Sequence, residues 1–78
     1  MKLTQAQRAL LSCEIVEGYD FILLHSTGQD RTAQALQAKG LGSFISARSS
    51  YSWRRREGYF NHFVPNEEGL KWRMKILA

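Results

Sequence analysis

The stretch RTAQALQAKGLG, residues 31–42, constrains the fold more than any other part of the chain. With Leu36 as the inward centre of a helix, Thr32 and Lys39 fall within about 60° of it at the helical period, while Arg31, Gln34 and Ala38 lie nearly opposite. Gln37 is on the flank. Gly40 stands just past Lys39, where a residue in the left-handed conformation ends a helix. Leu41 then falls where a Schellman motif sets its hydrophobic contact, against Leu36. Lys39, near the end, suits the helix dipole. The spacing predicts a short helix over residues 31–39 with a defined stop. It leaves open whether that helix reads nucleic acid or fills a small core.

The 78 residues make one domain, 1–78, near the lower end of what folds alone. Hydrophobic residues are 44% of the chain, enough for one small core, and the net charge is +4 from eleven Lys and Arg against seven Asp and Glu. That basic bias suits nucleic acid or an acidic protein face and selects neither. The single cysteine rules out an internal disulfide, and Cys13, among apolar neighbours, reads as a buried thiol. No apolar run approaches the ~18 residues of a membrane span, and MKLTQAQ lacks a signal-peptide core. A cytoplasmic protein with no membrane partner is the expectation.

Thr4-Gln5-Ala6-Gln7 has the form of a capping box. The AQRALLSCEIVE stretch that overlaps it reads as a helix stopping near Gly18. Ala6, Ala9, Leu10, Cys13 and Val16 form one stripe on it, and Leu11 with Ile15 a second, so it predicts packing against two elements or against a second copy. YDFILLHS, residues 19–26, suits a buried strand or a short helical turn, which period alone does not separate. STGQD, residues 26–30, reads as a turn, with Asp30 or Thr32 capping the next helix. A strand follows at Ser43–Ala47, with residues 59–64, YFNHFV, as its partner. A long basic loop or flared hairpin joins the two. Asn66 caps a last helix that carries Glu67 and Glu68 in its first turn. On that helix Leu70, Met74 and Leu77 share a face, and Trp72 and Ile76 lie on another.

Thr32 to Leu41 resembles the third helix of MarR-like winged helix-turn-helix domains, which ends in a basic-Gly-Leu stop before the wing. Phe63-Val64-Pro65-Asn66-Glu67-Glu68-Gly69-Leu70 is similar to the end of such a wing, and Leu3 to Arg8 followed by Leu10-Leu11 to the opening helix. The pattern resembles one that small phage and prophage proteins often have. The resemblance implies an α+β fold, a reduced winged helix ordered helix, short strand or turn, helix, β-hairpin with a long basic wing, and C-terminal helix. Only residues 19–31 separate the opening and third helices, so one family element must be missing or shrunken. Function then follows as DNA binding, in a phage or prophage transcriptional regulator.

The residues fit that function. Arg31, Gln34, Gln37 and Ala38 form the outward group, and arginine pairs with guanine, glutamine with adenine, and alanine meets a thymine methyl. These are also good helix formers that any solvated face can hold. Arg48, Arg54, Arg55 and Arg56 supply phosphate contacts with no acid among residues 48–56, and Tyr51 and Trp53 add rings able to stack on unpaired bases. The outward helix face and this loop are expected to form one positive surface without a carboxylate between them. So few arginines bind weakly in one copy, which makes a homodimer the expected state on double-stranded DNA, joined through Leu11 and Ile15 or through Trp72 and Ile76. The alternative is a protein-interaction module on the same scaffold, for instance a phage-encoded inhibitor of a host protein complex. Its contact would be the loop's Tyr, Trp and Arg, residue types that dominate binding hot spots. An enzyme is not expected. His25 and His62 belong to no ligand-spaced cluster, Cys13 pairs with neither by spacing, and no phosphate loop or motif calling for a metal or cofactor is present.

Overall fold

A computed structural model describes residues 2–18, 20–46 and 61–78. Its first helix, α1 (Gln5–Leu11), starts at the capping box read from sequence: Gln7 N–H donates to Thr4 Oγ1 at 3.1 Å, and Thr4 N–H to Gln7 Oε1 at 3.0 Å. The helix stops at Leu11 and does not run to Gly18. Ser12 turns its hydroxyl back onto the Ala9 carbonyl, 2.8 Å away. The adjacent β-branched pair Ile15–Val16 forms strand β1 instead. Gly18 and Asp20 both take positive φ, and the chain returns as β2 (Phe21–Leu23), pairing Ile15 with Ile22 and Val16 with Phe21. Of the two readings of residues 19–26, the strand is correct.

Residues 26–30 are not a free turn. Ser26 caps α2 (Thr27–Ala38), its Oγ accepting the Gln29 N–H at 3.1 Å, so the helix begins a turn earlier than predicted and Asp30 and Thr32 lie inside it. Its end is as read from the sequence. Gly40 has φ +78°, Leu41 N–H donates to the Leu36 carbonyl and Gly40 N–H to the Gln37 carbonyl, the two bonds of a Schellman motif. Strands β3 (Gly42–Ile45) and β4 (His62–Pro65) follow, with Phe44 opposite Phe63 and Ile45 opposite His62. Asn66 caps α3 (Glu67–Leu77) by accepting the Gly69 N–H at 2.9 Å, and its side-chain amide donates to the Gly40 carbonyl at 2.8 Å. That one residue joins the start of α3 to the end of α2.

Among the described residues the architecture is α+β: three helices and an open antiparallel sheet of order β1-β2-β4-β3, a generic winged-helix-like topology. The predicted order lacked one element, since a β1–β2 hairpin occupies the space where only a short strand or turn was expected. Leu10, Leu11, Ile22, Leu24, Ala33, Leu36, Leu41 and Phe63 form the core, with Trp72 and Ile76 packed against it. Helix α1 packs against both α2 and α3. Arg73 of α3 donates to the Leu11 carbonyl at 2.6 Å and the Cys13 carbonyl at 2.5 Å, satisfying groups left open where α1 ends. Gly69 allows the closest approach in this packing, since a methyl there would overlap the Leu41 carbonyl oxygen.

This packing bears on the contacts expected for a dimer. Leu11 is fully buried in the core, Ile15 lies in a strand beside it, and Trp72 and Ile76 turn inward. Among the described residues the exposed large apolar side chains are Leu70, Met74 and Leu77. Cys13 is half-buried and lies beyond the end of α1, not inside a helix. Its thiol meets the Ala9 carbonyl at 3.4 Å.

Candidate nucleic-acid interface

Helix α2 holds its outward residues on a frame fixed at both ends and from below. Ala33 and Leu36 are completely buried, which sets its rotation. At the N-terminal side, Gln29 Oε1 accepts the His25 N–H at 2.6 Å and ties the helix to the end of β2. Near the other end, Lys39 Nζ reaches the Lys2 carbonyl at 2.9 Å and Gln7 Oε1 at 2.6 Å, linking α2 to α1. Arg31, Gln34 and Ala38 are exposed on the side opposite Leu36, as the helical period requires, and Gln37 is exposed on the flank. Thr32 and Lys39, assigned to the inward flank, are half-buried.

Two side chains on this helix are engaged in ways the sequence did not disclose. Gln37 Oε1 accepts the Phe44 N–H at 2.8 Å, so its carbonyl end is committed to strand β3. A glutamine that reads adenine uses both ends of its amide. Gln37 therefore serves as a brace, and Arg31, Gln34 and Ala38 remain as the free outward group. Asp30 Oδ2 accepts from Asn61 Nδ2 at 3.0 Å, and the Asn61 carbonyl accepts the Leu24 N–H at 2.9 Å. Asn61 is the first described residue after residues 47–60, so a carboxylate stands beside the start of the last described stretch. Neither contact has a spacing signature, because each joins residues distant in sequence or on different elements.

Arg48, Tyr51, Trp53, Arg54, Arg55 and Arg56 lie outside the described residues. What is described is the root of their segment. Ile45 stands opposite His62 in the β3–β4 ladder, and Asp30 accepts from the Asn61 amide.

The histidines divide clearly. His62 is buried, its ring 4.3 Å from that of Phe21, as a structural residue of the sheet. His25 is exposed and lines an open cavity of about 350 Å³ with Cys13, Glu14, Glu17 and Gln29. The structure thus brings Cys13 and His25 to one hollow, which their spacing did not show. Among the described residues there is no group of three or more His, Cys, Asp or Glu able to hold a metal ion, and no helix long and apolar enough to cross a membrane. Comparison with protein-family models, curated proteins and solved structures finds no match for the chain.

Proposed function

We propose that this chain is a small winged-helix-like DNA-binding protein acting in the cytoplasm, of the kind that regulates transcription in phages and prophages. The observation that carries the reading is the outward face of α2, where Arg31, Gln34 and Ala38 stand exposed on a helix locked at both ends. A recognition helix needs this rigidity, because base readout depends on hydrogen-bond geometry held before contact. Arg31 is suited to guanine, Gln34 to adenine and Ala38 to a thymine methyl. Arg48 and Arg54–Arg56 are assigned the phosphate contacts on the strength of their charge. The Asp30 carboxylate, which accepts from the neutral Asn61 amide, counts against an unbroken positive surface beside Asn61.

A salt series of binding to mixed-sequence duplex DNA tests the reading. With about four or five phosphate contacts, log K falls against log salt with a slope of about −4. Affinity that does not respond to salt, or no binding at low salt, overturns it.

The Asp30 carboxylate and the committed Gln37 also favour a second reading, in which the arginine-rich segment contacts a host protein complex through Tyr51 and Trp53. A stoichiometric protein partner that survives nuclease treatment of a host lysate, together with absent duplex binding, selects that reading.

A further inference from the structure

Helix α3 carries an apolar row that no other described residue covers. Leu70, Met74 and Leu77 are 42%, 73% and 57% exposed, and they line a shallow groove of about 470 Å³ with Arg73 and Ala78. Their spacing, four residues and then three, places them along one side of the helix. Trp72 and Ile76 occupy the side turned to the core, so the exposed row is a second stripe. Single exposed apolar residues need no explanation, but three in one row on an eleven-residue helix do.

We propose that this row is the contact between two copies of the chain, with two α3 helices crossing in opposite directions about a two-fold axis at Met74. The charges beside the row select both occupant and direction. Glu67 continues the row one step toward the N-terminus and is strongly exposed, with Glu68 beside it. A parallel pair would set two Glu67 carboxylates side by side on the contact face, each with only its own exposed Lys71 at 3.8 Å as counter-charge. An antiparallel pair centred on Met74 sets Leu70 near the partner's Leu77 and leaves each Glu67 beyond the last turn of the other helix. Opposed helices also bring the negative end of one dipole beside the positive end of the other. Arg73 is the basic residue nearest the axis, and its guanidinium is drawn away to the Leu11 and Cys13 carbonyls. No cation is left facing its own symmetry mate at the centre. The surface is self-complementary, as a two-fold contact must be.

Size sets the strength. An eleven-residue helix is about 16 Å long, so the pair buries less than the ~1,200 Å² of a stable standard interface. The dimer is weak and depends on concentration. Met74 lies on α3 and Arg31 and Gln34 lie on α2, so the contact does not use the outward residues of α2, and the inference stands without the DNA reading.

Sedimentation velocity of the full chain from low to high micromolar concentration gives the test, with circular dichroism to verify folding. The expected result is a monomer–dimer equilibrium that Met74→Glu weakens at least tenfold and Met74→Leu preserves. In a Cys13→Ser background, Met74→Cys should cross-link to itself on oxidation. Leu70→Cys should cross-link with Leu77→Cys but not with itself. A monomer at every concentration overturns the proposal, as does a dimer indifferent to Met74→Glu. Self-cross-linking of Leu70→Cys overturns the antiparallel arrangement, and binding to anionic vesicles in place of self-association assigns the row to a lipid surface.

Discussion

Helices α2 and α3 are of similar length, twelve and eleven residues, and both are capped at the N-terminus by a side-chain oxygen, yet they treat their outward faces differently. Helix α2 buries Ala33 and Leu36 completely and turns Arg31, Gln34 and Ala38 to solvent. Helix α3 only half-buries Trp72 and Ile76 and turns Leu70, Met74 and Leu77 outward. The core therefore depends on α2 more than on α3. A polar outward face is compatible with simple solvation and needs a binding experiment to give it a role. An apolar one already departs from what solvation favours.

The comparison breaks first on stability. Leu36→Ala removes a fully buried side chain and should cost about 2–5 kcal/mol in urea unfolding, whereas Met74→Ala at low protein concentration should stay within about 0.5 kcal/mol. Equal losses at the two sites would mean that α3 is as much a part of the core as α2.

A smaller effect is expected where α3 meets the end of α2. Gly69→Ala raises helix propensity but drives a methyl into the Leu41 carbonyl oxygen, in the chain segment that closes the Schellman motif. Thermal unfolding should show a net loss of about 1–3 kcal/mol, as overpacking usually costs. A more stable variant would show that α3 is seated loosely enough to move.

Smallest of the stability effects is Lys71→Ala. Lys71 meets Glu67 at 3.8 Å and Glu68 at 3.4 Å, with all three side chains mostly exposed. Such pairs contribute little, so the change should be under about 0.5 kcal/mol and should shrink further in high salt. A larger loss would give the outer face of α3 a structural part that its exposure does not suggest.

Legibility in the sequence followed the range of the interactions. The Thr4–Gln7 box, the Gly40–Leu41 stop and the Asn66 cap all act within a few residues, and each stands in the structure where its residues predicted it. The errors lie between Ser12 and Asp30. There, apolar residues at helical spacing, Cys13 and Val16, hid two adjacent β-branched residues that pair with β2 across a tight turn. Ser26 caps α2 although Thr27 and Gly28 after it suit a turn. The outward position of Arg31, Gln34, Gln37 and Ala38 followed from the helical period. That Gln37 is held by Phe44 and Asp30 by Asn61 did not, since those contacts exist only once α2 lies against the sheet. Which apolar stripe of α3 faces inward was equally hidden, because both stripes are hydrophobic and only the packing against α1 and the sheet chooses between them.

The central claim, that the outward face of α2 is a reading surface and not merely a solvated one, is tested most directly by the Arg31→Ala/Gln34→Ala double variant. Both side chains are exposed, so folding stability should stay within about 0.5 kcal/mol of the parent. Binding should be measured by competition among duplexes, using a sequence selected by the parent protein. The account predicts that preference for that sequence falls by about 10–100-fold while non-specific, salt-dependent binding through the remaining arginines persists. Unchanged affinity and unchanged preference in a folded double variant would contradict it.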